Sequence, residues 1–362
     1  SAAELSMTDR KIVHVVGTGT IGEPLIGLLV NMHEALGIDE VTFHKRTPLL
    51  TDRSKVQELK RRGAKLAVDQ DSLDGFKELG IDPHFEAGEA LERASVVIDC
   101  TPVGNQNKIE LYENYKKNTL GFIAQGSEFG FGKPYARGIN DQALKQGEDQ
   151  YLQVVSCNTH NLAVLINNIA LADGGPDNLV EARFLCIRRA NDISQDGSFC
   201  PSPQAGKHKD ERFGTHHARD VWHLFDTVGV DLTNIFSSAM KVNTQYMHSI
   251  WFNIRLKKKV TTEEVIRRLK SNDRVALSYK MSANAIFSFG RDYGHYGRIL
   301  SQTVVSVPSL MVKDGTEVVG FCFTPQDGNP LLSSVAAATW FLYPKTYEEK
   351  IQCMKPYFFE EV

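Results

Sequence analysis

The chain lacks any run of about 18 consecutive apolar residues, the length that a membrane-spanning helix needs. Its net charge is only −3 over 362 residues, so no strong field attracts nucleic acid or an anionic membrane. Its six cysteines lack the spacing of a metal site, and repeats, low-complexity segments and an export signal are also missing. We therefore expect a cytoplasmic protein with reduced thiols and no metal, which binds neither nucleic acid nor a membrane.

What is present is an ordinary globular composition, with 42% hydrophobic and 23% charged residues. A chain of 362 residues predicts two domains or one elaborated domain. Residues 1–6 precede Met7, and we interpret them as a cloning remnant with Met7 as the natural start.

A glycine-rich turn follows the first apolar segment. Residues 11–16 (KIVHVV) are typical of a strand, Gly17-Thr18-Gly19-Thr20-Ile21-Gly22 comes next, and residues 24–36 have the apolar spacing of a helix. Strand, glycine turn and helix together indicate dinucleotide binding, because small residues let a pyrophosphate reach the backbone N–H groups at the helix N-terminus. A glycine turn without a ligand is the alternative.

The end of the second predicted strand is basic. Residues 40–44 (EVTFH) run into Lys45 and Arg46, where an NAD-specific site usually has an acidic residue for the ribose 2′-hydroxyl. Two cations suit a 2′-phosphate, so we predict that the protein prefers NADP to NAD. Dual use of both cofactors, or two solvated side chains, are the alternatives.

Strands and helices continue to alternate through the first half of the chain. Further strands are predicted at residues 65–68, 95–100 and 120–124, with helices at 54–62 and ending at 91–93. This alternation predicts a Rossmann-type, doubly wound parallel sheet that binds ligands at the C-terminal ends of its strands.

The second half contains a candidate nucleophile. Residues 151–156 (YLQVVS) are strand-like, Cys157 begins a polar, turn-rich run, and a helix is predicted at residues 162–172. A thiol near a helix N-terminus has a lowered pKa and therefore more thiolate. The alternative is a buried structural cysteine.

Further polar residues follow strand-like segments. Arg188 and Arg189 end the strand predicted at 182–189 and could hold a phosphate or a carboxylate. His216 and His217 end a long polar loop, and His248 begins the alternating strand predicted at 247–256. Each could equally be a surface charge or a satisfied core histidine.

Taken together, these motifs resemble the archaeal (type II) glyceraldehyde-3-phosphate dehydrogenases over residues 11–342. The matching segments, in the family's order, are Ile98-Asp99-Cys100-Thr101-Pro102 with Gly104, Leu111-Tyr112-Glu113, Gln125-Gly126-Ser127-Glu128, Val154-Val155-Ser156-Cys157-Asn158-Thr159, Arg188-Arg189-Ala190-Asn191-Asp192 with Gln195, Thr215-His216-His217 with Asp220, and Met247-His248.

The resemblance implies the chemistry. Cys157 attacks an aldehyde, hydride passes to NAD(P), and inorganic phosphate releases the resulting thioester as an acyl phosphate. His248 is implied as the general base, whose imidazolium then polarises the carbonyl. The implied cofactor contacts are the turn from Gly17 to Gly22, with Thr101, Pro102, Gly104, Gln125, Gly126 and Asn329. The implied contacts for the phosphorylated aldehyde and phosphate are Asn158, Thr159, Arg188, Arg189, His216 and His217.

The sequence departs from the family just after the nucleophile. His160 and Asn161 stand where the family has threonine and glycine, and the loop after Pro102 also differs. The acyl acceptor therefore has an alternative. A CoA-dependent semialdehyde dehydrogenase or acyl-CoA reductase would share the scaffold, and a non-catalytic NAD(P)-binding redox sensor is a third hypothesis.

We expect a cofactor domain at residues 7–155, completed by a helix at about 329–343. A catalytic α+β domain with a mostly antiparallel or mixed sheet is expected at residues 156–324, followed by a tail at 344–362 that docks on the body or on a neighbour. The resemblance also implies a homotetramer of archaeal origin that acts in glycolysis and gluconeogenesis.

Overall fold

The computed structural model describes residues 9–197, 199–325 and 327–362. The interpretation of residues 1–6 as a cloning remnant lies outside these residues. The chain divides into two compact units. Unit 1 contains the described residues up to Tyr135, Leu144–Val154 and Ser333–Cys353, and unit 2 contains Ala136–Ala143, Val155–Leu332 and Met354–Val362.

The strands are short and mostly buried. They are β1 (Ile12–Val16), β2 (Glu40–His44), β3 (Lys65–Val68), β4 (Phe85–Glu86), β5 (Val96–Asp99), β6 (Gly121–Ala124), β7 (Lys133–Tyr135), β8 (Tyr151–Val154), β9 (Leu179–Arg188), β10 (Gln204–Ala205), β11 (Ile235–Lys241), β12 (Ser249–Leu256), β13 (Val275–Ser278), β14 (Thr303–Ser306), β15 (Met311–Lys313) and β16 (Glu317–Phe323).

The α-helices follow the same chain order. They are α1 (Gly22–Asn31), α2 (His33–Leu36), α3 (Arg53–Arg62), α4 (Leu73–Glu78), α5 (Ala87–Arg93), α6 (Gly104–Glu110), α7 (Cys157–Leu165), α8 (His216–Asp226), α9 (Thr262–Lys270), α10 (Ala283–Tyr293), α11 (Gly328–Leu342) and α12 (Tyr347–Lys350). Within the described ranges, none is long and apolar enough to cross a membrane.

Unit 1 is built on a parallel sheet. Its described strands lie in the order β4-β3-β2-β1-β5-β6-β8-β7, and each pairs in parallel with its neighbours. The chain starts in the middle, moves to one edge, returns to β5 beside β1, and then builds the other side. This reversal is the doubly wound topology with its ligand crevice between β1 and β5, so the predicted Rossmann-type fold is confirmed.

Unit 2 is built on a mixed sheet, as predicted. Among the described strands the order is β10-β11-β9-β12-β16-β14-β13, with β15 paired to β16. The pairs β9–β12, β12–β16 and β14–β16 are antiparallel, whereas β9–β11 and β13–β14 are parallel. The inward side chains of β9 and β12 pack with α7, α8 and α9 in one hydrophobic core.

The first helix is shorter than predicted. Instead of one helix over residues 24–36, α1 ends at Asn31, and α2 is a separate turn closed by Gly37 in the left-handed region, at φ 70°. The apolar periodicity continued across the break and therefore did not reveal it.

The helix after the nucleophile begins earlier than predicted. It starts at Cys157 and not at residue 162, because Ser156 has an extended backbone and its Oγ accepts the N–H of Thr159 at 3.3 Å. A π-helical turn, Ile166–Leu171, continues it. The polar residues after Cys157 are therefore the first turn of a helix and not a loop.

The C-terminal tail is divided between the units. Tyr347 and Ile351 are buried in unit 1, whereas Met354 and Val362 are buried in unit 2. The backbone N–H of Val362 donates to Leu277 O at 2.8 Å, beside β13. The tail therefore packs on the body of its own chain.

Candidate active site

The three glycines of the first turn, Gly17, Gly19 and Gly22, meet different steric requirements. Gly17 has φ +101°, which a side chain would strain. A Cβ on Gly22 would lie 2.1 Å from Gly17 O, so this glycine allows α1 to start against the turn. A Cβ on Gly19 would meet nothing within 4 Å, so that position borders open space. The turn thus forms a cradle that a side chain at Gly19 would fill.

A cavity of about 930 Å³ lies against this turn in unit 1. This volume suits a large organic ligand. Seven of the predicted cofactor residues line it, namely Gly17, Thr18, Gly19, Lys45, Arg46, Thr101 and Pro102. The residues present therefore fit a dinucleotide at the expected crevice.

The other predicted cofactor residues lie outside that lining. Thr20 and Ile21 precede α1, and Gly104 begins α6. The Gln125 side chain donates to Ser334 Oγ at 2.9 Å, and Gly126 O accepts the Gln153 amide at 3.0 Å. Hydrogen bonds within unit 1 therefore engage both Gln125 and Gly126.

One end of the cavity is basic, since Lys45, Arg46 and Lys55 there outnumber Asp52 and Asp69. Lys45 Nζ lies 3.0 Å from Asp52, and Lys55 Nζ lies 3.7 Å from the same carboxylate. Partial burial acts to raise the pKa of Asp52, but the two lysines outweigh it and hold that pKa below its ordinary value. Lys55 also donates to Thr18 O at 2.8 Å, which ties the basic end to the glycine turn.

The loop at Thr101 is fixed by a fully buried carboxylate. Asp99 accepts hydrogen bonds from the Thr101 N–H at 2.8 Å, the Thr101 hydroxyl at 2.6 Å and the Asn107 amide at 2.8 Å. The hydroxyl of Tyr112 donates to it as well. These donors satisfy the buried charge and hold the loop beside the cavity.

The catalytic candidates of unit 2 meet at one edge of its sheet. Because β12 is antiparallel to both β9 and β16, the end of β9, the start of β12 and the end of β16 lie side by side. Arg188 ends β9 and Arg189 follows it, His248 precedes β12, and Asp327 follows β16. The backbone N–H of Thr324 donates to His248 O at 2.9 Å, which continues this pairing.

The thiol of Cys157 faces a carboxylate. Its Sγ donates to Asp327 Oδ1 at 3.5 Å, and Arg189 Nη2 lies 3.2 Å from the same oxygen. Burial raises the pKa of Cys157 well above its ordinary value, Asp327 raises it further, and Arg189 opposes the shift. The predicted lowering of this pKa by the helix N-terminus is therefore wrong, because the half-buried thiol is partly desolvated and lies beside a carboxylate.

His248 is half-buried, and one of its ring nitrogens is already engaged. Its Nδ1 accepts the backbone N–H of Arg189 at 3.0 Å. Burial lowers the pKa of His248 well below its ordinary value, and the charges of Arg189 and Arg188 lower it further. The neutral ring therefore carries its proton on Nε2, where it can donate a hydrogen bond.

His216 and His217 lie near the charges of Arg188 and Arg219, and Arg188 is exposed. Desolvation, with the charges of Arg188 and Arg219, lowers the pKa of the exposed His216 to about 4. Burial lowers the pKa of His217 well below its ordinary value, and the charges of His216 and Arg188 add to this. The two imidazole centroids lie 4.0 Å apart. A bound anion would relieve this repulsion, so the cluster can hold a phosphate.

The remaining predicted substrate residues are buried beneath this surface. Asn158 Nδ2 lies 3.5 Å from His217 Nε2, and Asn158 Oδ1 accepts the Thr324 hydroxyl at 3.1 Å. The Thr159 hydroxyl lies 2.9 Å from Ser156 Oγ. Asn158 and Thr159 are therefore buried residues that contact the site residues and are not exposed to solvent themselves.

The two residues that depart from the family pattern are fully buried as well. His160 Nδ1 lies 2.9 Å from Ser156 O, and burial lowers the pKa of His160 to about 4. Asn161 donates to Cys157 O at 2.8 Å and to the Thr324 hydroxyl at 3.0 Å. Their side chains brace the helix that carries the nucleophile.

Asn329 lies in unit 2 and braces the same residue. Its Nδ2 donates to Cys157 O and to Gln302 O, each at 3.0 Å. Its Oδ1 is buried without a hydrogen-bond partner among the described residues. That oxygen remains available as an acceptor for an amide donor.

Sequence reasoning missed Asp327, which contacts the nucleophile. The Asp327-Gly328 pair after a strand is a turn signal, but a turn signal gives no sign of a partner 170 residues away. Metal-binding groups of three or more His, Cys, Asp or Glu side chains are not found in the described parts of the chain.

Comparison with known proteins identifies the family. No family model matches the chain. It is 30% identical to the glyceraldehyde-3-phosphate dehydrogenase of Hyperthermus butylicus, over 86% of this chain and 85% of that protein. It is also 30% identical to that of Methanobacterium bryantii, over 84% and 86%, and 28% identical to that of Methanobrevibacter smithii, over 73% of each. The chain belongs to the glyceraldehyde-3-phosphate dehydrogenase family.

Proposed function

We propose that the protein is a phosphorylating glyceraldehyde-3-phosphate dehydrogenase. The observation that carries this proposal is the convergence, in unit 2, of a half-buried thiol, a neutral histidine and a cluster of residues that can bind an anion. An aldehyde that carries a phosphate needs all three. In this proposal unit 1 is the cofactor domain and unit 2 the catalytic domain.

The cofactor we propose is NADP in preference to NAD. The glycine turn and the loop at Thr101 would hold the dinucleotide, with Lys45, Arg46 and Lys55 around the 2′-phosphate. When bound, the nicotinamide supplies the acceptor for a hydride. Asn329 stays a candidate contact of the cofactor, supported by its Oδ1, which has no hydrogen-bond partner among the described residues.

The side chains of unit 2 carry out the acyl chemistry in this proposal. Cys157 Sγ attacks the aldehyde carbon, and the resulting oxyanion accepts a hydrogen bond from His248 Nε2–H. After oxidation the acyl group remains on Cys157 as a thioester. Arg188 and His216 bind the substrate phosphate, with Asn158, Thr159, Arg189 and His217 behind them.

Inorganic phosphate is the proposed acyl acceptor. The substitutions at His160 and Asn161 argue for a different acceptor only if those side chains reach the reacting atoms. Both are fully buried, and the hydrogen bonds described above occupy them. Their burial removes the main reason to prefer CoA.

The test is a cofactor-reduction assay on the unaltered protein. We expect NADPH formation from glyceraldehyde-3-phosphate that requires inorganic phosphate and is slower with NAD+. Cys157→Ser should lose this activity and keep NADP+ binding. Turnover that ignores phosphate and requires CoA would overturn the proposal in favour of a CoA-dependent dehydrogenase, and absence of turnover with any aldehyde would favour a redox sensor.

The proposal also includes a cytoplasmic homotetramer that acts in glycolysis and gluconeogenesis. Its support is the family relationship. Light scattering after size-exclusion chromatography would measure the mass, and a monomeric mass, close to the 40.4 kDa of one chain, would contradict this part.

A further inference from the structure

The cavity against the glycine turn has an apolar wall as well as its basic end. Leu91, Leu111 and Tyr115 line the cavity, and all three pack in the same hydrophobic cluster. A dinucleotide with its pyrophosphate on the glycine turn and its 2′-phosphate at Lys45 must place its adenine ring within reach of both. The apolar wall is the part of the cavity that suits a flat, largely apolar ring.

A carboxylate borders this wall. Glu86, the last residue of β4, lines the same cavity, and its side chain has no hydrogen bond or ion pair among the described residues. A Cβ on Gly88 would lie 3.2 Å from Glu86 Oε2 and 3.5 Å from Tyr115 Oη, so the two side chains converge on this glycine. Burial raises the pKa of Tyr115, and the charges of Glu92 and Glu86 raise it further, which agrees with this proximity.

The described lining of the cavity contains two other carboxylates, and both have partners. Asp52 Oδ2 lies 3.0 Å from Lys45 Nζ, and Asp69 Oδ1 lies 3.2 Å from His44 Nε2. Glu86 is therefore the carboxylate that remains to accept a hydrogen bond from a ligand. An ionised carboxylate has no donor of its own, so it binds an N–H group and repels a carbonyl oxygen.

We infer that Glu86 determines which purine base the bound dinucleotide carries. The adenine ring lies against Tyr115 and the two leucines, and the Glu86 carboxylate accepts a hydrogen bond from the exocyclic N6 amino group. A hypoxanthine or guanine ring has a carbonyl oxygen at that position, which the carboxylate would repel. The site therefore selects adenine dinucleotides. This assignment rests on the proposed function, in which the cavity holds NADP.

The test compares the affinities of the unaltered protein for NADP+ and for nicotinamide hypoxanthine dinucleotide phosphate by isothermal titration calorimetry. In the second ligand a carbonyl oxygen replaces the N6 amino group, and N1 carries a proton. We expect it to bind about tenfold more weakly, because a hydrogen bond to a charged group is lost. Equal affinities would contradict the inference, whereas absence of NADP+ binding would count against the proposed function itself.

Glu86→Gln tests the residue. A glutamine amide can accept from an amino group or donate to a carbonyl oxygen, so the variant should bind NADP+ and the hypoxanthine dinucleotide with affinities within about threefold of each other. Glu89→Gln is the matched control, since Glu89 is an exposed acid of α5 outside the lining of the cavity. It should keep the preference for NADP+. A preference that persists undiminished in Glu86→Gln would overturn the inference.

Two further variants test the competing carboxylate and the apolar wall. Asp69→Asn should keep the preference for adenine, and loss of the preference in this variant but not in Glu86→Gln would make Asp69 the acceptor. Tyr115→Leu should weaken the binding of both dinucleotides by about tenfold, because stacking of the base on an aromatic ring is lost. Tyr115→Phe should restore both affinities. Unchanged affinities in Tyr115→Leu would show that the base lies elsewhere and would contradict the inference.

Discussion

At the residue scale, Arg188 is the side chain on which the proposed anion-binding cluster depends. It is exposed and contributes to the lowered pKa values of His216, His217 and His248. An exposed guanidinium beside neutral imidazoles is an arrangement that favours an arriving anion.

Arg188→Gln should therefore raise the KM for glyceraldehyde-3-phosphate by about 10- to 100-fold, since a charge-assisted hydrogen bond contributes on the order of 1.5–3 kcal/mol. The turnover number should change much less. Arg183→Gln is the matched control, because Arg183 is an exposed arginine of the same strand that pairs with Glu181. Steady-state kinetics would reject the assignment if the two variants gave the same KM.

The glycine turn gives a second prediction for single residues. Gly22→Ala places its Cβ 2.1 Å from Gly17 O and should destabilise the protein by on the order of 1–3 kcal/mol. In Gly19→Ala the new Cβ meets no atom of the described residues within 4 Å, so the free energy of unfolding should change by less than about 0.5 kcal/mol while NADP+ affinity falls about tenfold. Urea unfolding and cofactor titration separate the two effects. Unchanged NADP+ affinity in Gly19→Ala would mean that the turn does not contact the cofactor.

Sequence reasoning found the charged and reactive residues but not how they are paired. Cys157, His248 and the arginines carry recognisable chemistry at positions in family order. Asp327 does not, since an aspartate before a glycine is typical of any turn. Whether a thiol is made more or less acidic depends on burial and on neighbours distant in sequence, and neither is visible in a local pattern.

At the element scale, the start of α7 positions the nucleophile. Ser156 caps the helix, and Asn161 and Asn329 both donate to Cys157 O in its first turn. The thiol therefore sits on a rigid element and not on a loop, which suits a residue that must meet a substrate atom at short range.

Removing this cap should affect both stability and catalysis. Ser156→Ala should lower the free energy of unfolding by about 1 kcal/mol and reduce turnover, because the first turn of α7 loosens. Thr261→Ala is the matched control, since Thr261 Oγ1 caps α9 in the same manner by accepting the Glu264 N–H at 3.1 Å. It should cost similar stability and leave turnover unchanged. If both variants lost the same amount of turnover, the cap of α7 would have no specific role in catalysis, and the prediction would be contradicted.

The parallel sheet was predictable, and the helix boundaries were less so. Alternation of apolar strands with helices, together with the glycine turn, predicts the doubly wound order of unit 1. The break at Met32 was missed because apolar residues continue through it, and the start of α7 was missed because Asn158 and Thr159 are poor helix formers. In α7 burial and hydrogen bonds override that weak preference.

At the scale of the whole molecule, several histidines are kept neutral by their surroundings. Burial or desolvation lowers the pKa of His14 to about 3 and those of His160 and His216 to about 4, against an ordinary value of 6.5. Burial lowers the pKa values of His217 and His248 well below that value too. Below about pH 6.5 these histidines are therefore protonated in the unfolded chain but remain neutral in the folded chain.

The protein should consequently lose stability as the pH falls from about 6.5 towards 4, by up to about 1.4 kcal/mol per pH unit for each of the buried histidines His14, His160 and His217. The exposed His216 should contribute less, because solvent screens its charge. Burial of Asp220 raises its pKa to about 6, which acts in the opposite direction but is a single group. Urea-unfolding midpoints between pH 7 and 4.5 measure the slope, and His160→Gln should flatten it. If the urea concentration at the unfolding midpoint did not decrease as the pH was lowered below 6.5, the prediction would be contradicted.

The buried carboxylate of Asp99 has a thermodynamic consequence for ligand binding. Its four hydrogen bonds immobilise the segment from Thr101 to Asn107 when the chain folds, before any dinucleotide arrives. The conformational entropy of that segment is thus lost once, in folding, and does not recur as a penalty on association. The buried Asp99, at the end of a strand of the parallel sheet, therefore contributes to cofactor affinity by preorganising the loop that borders the cavity.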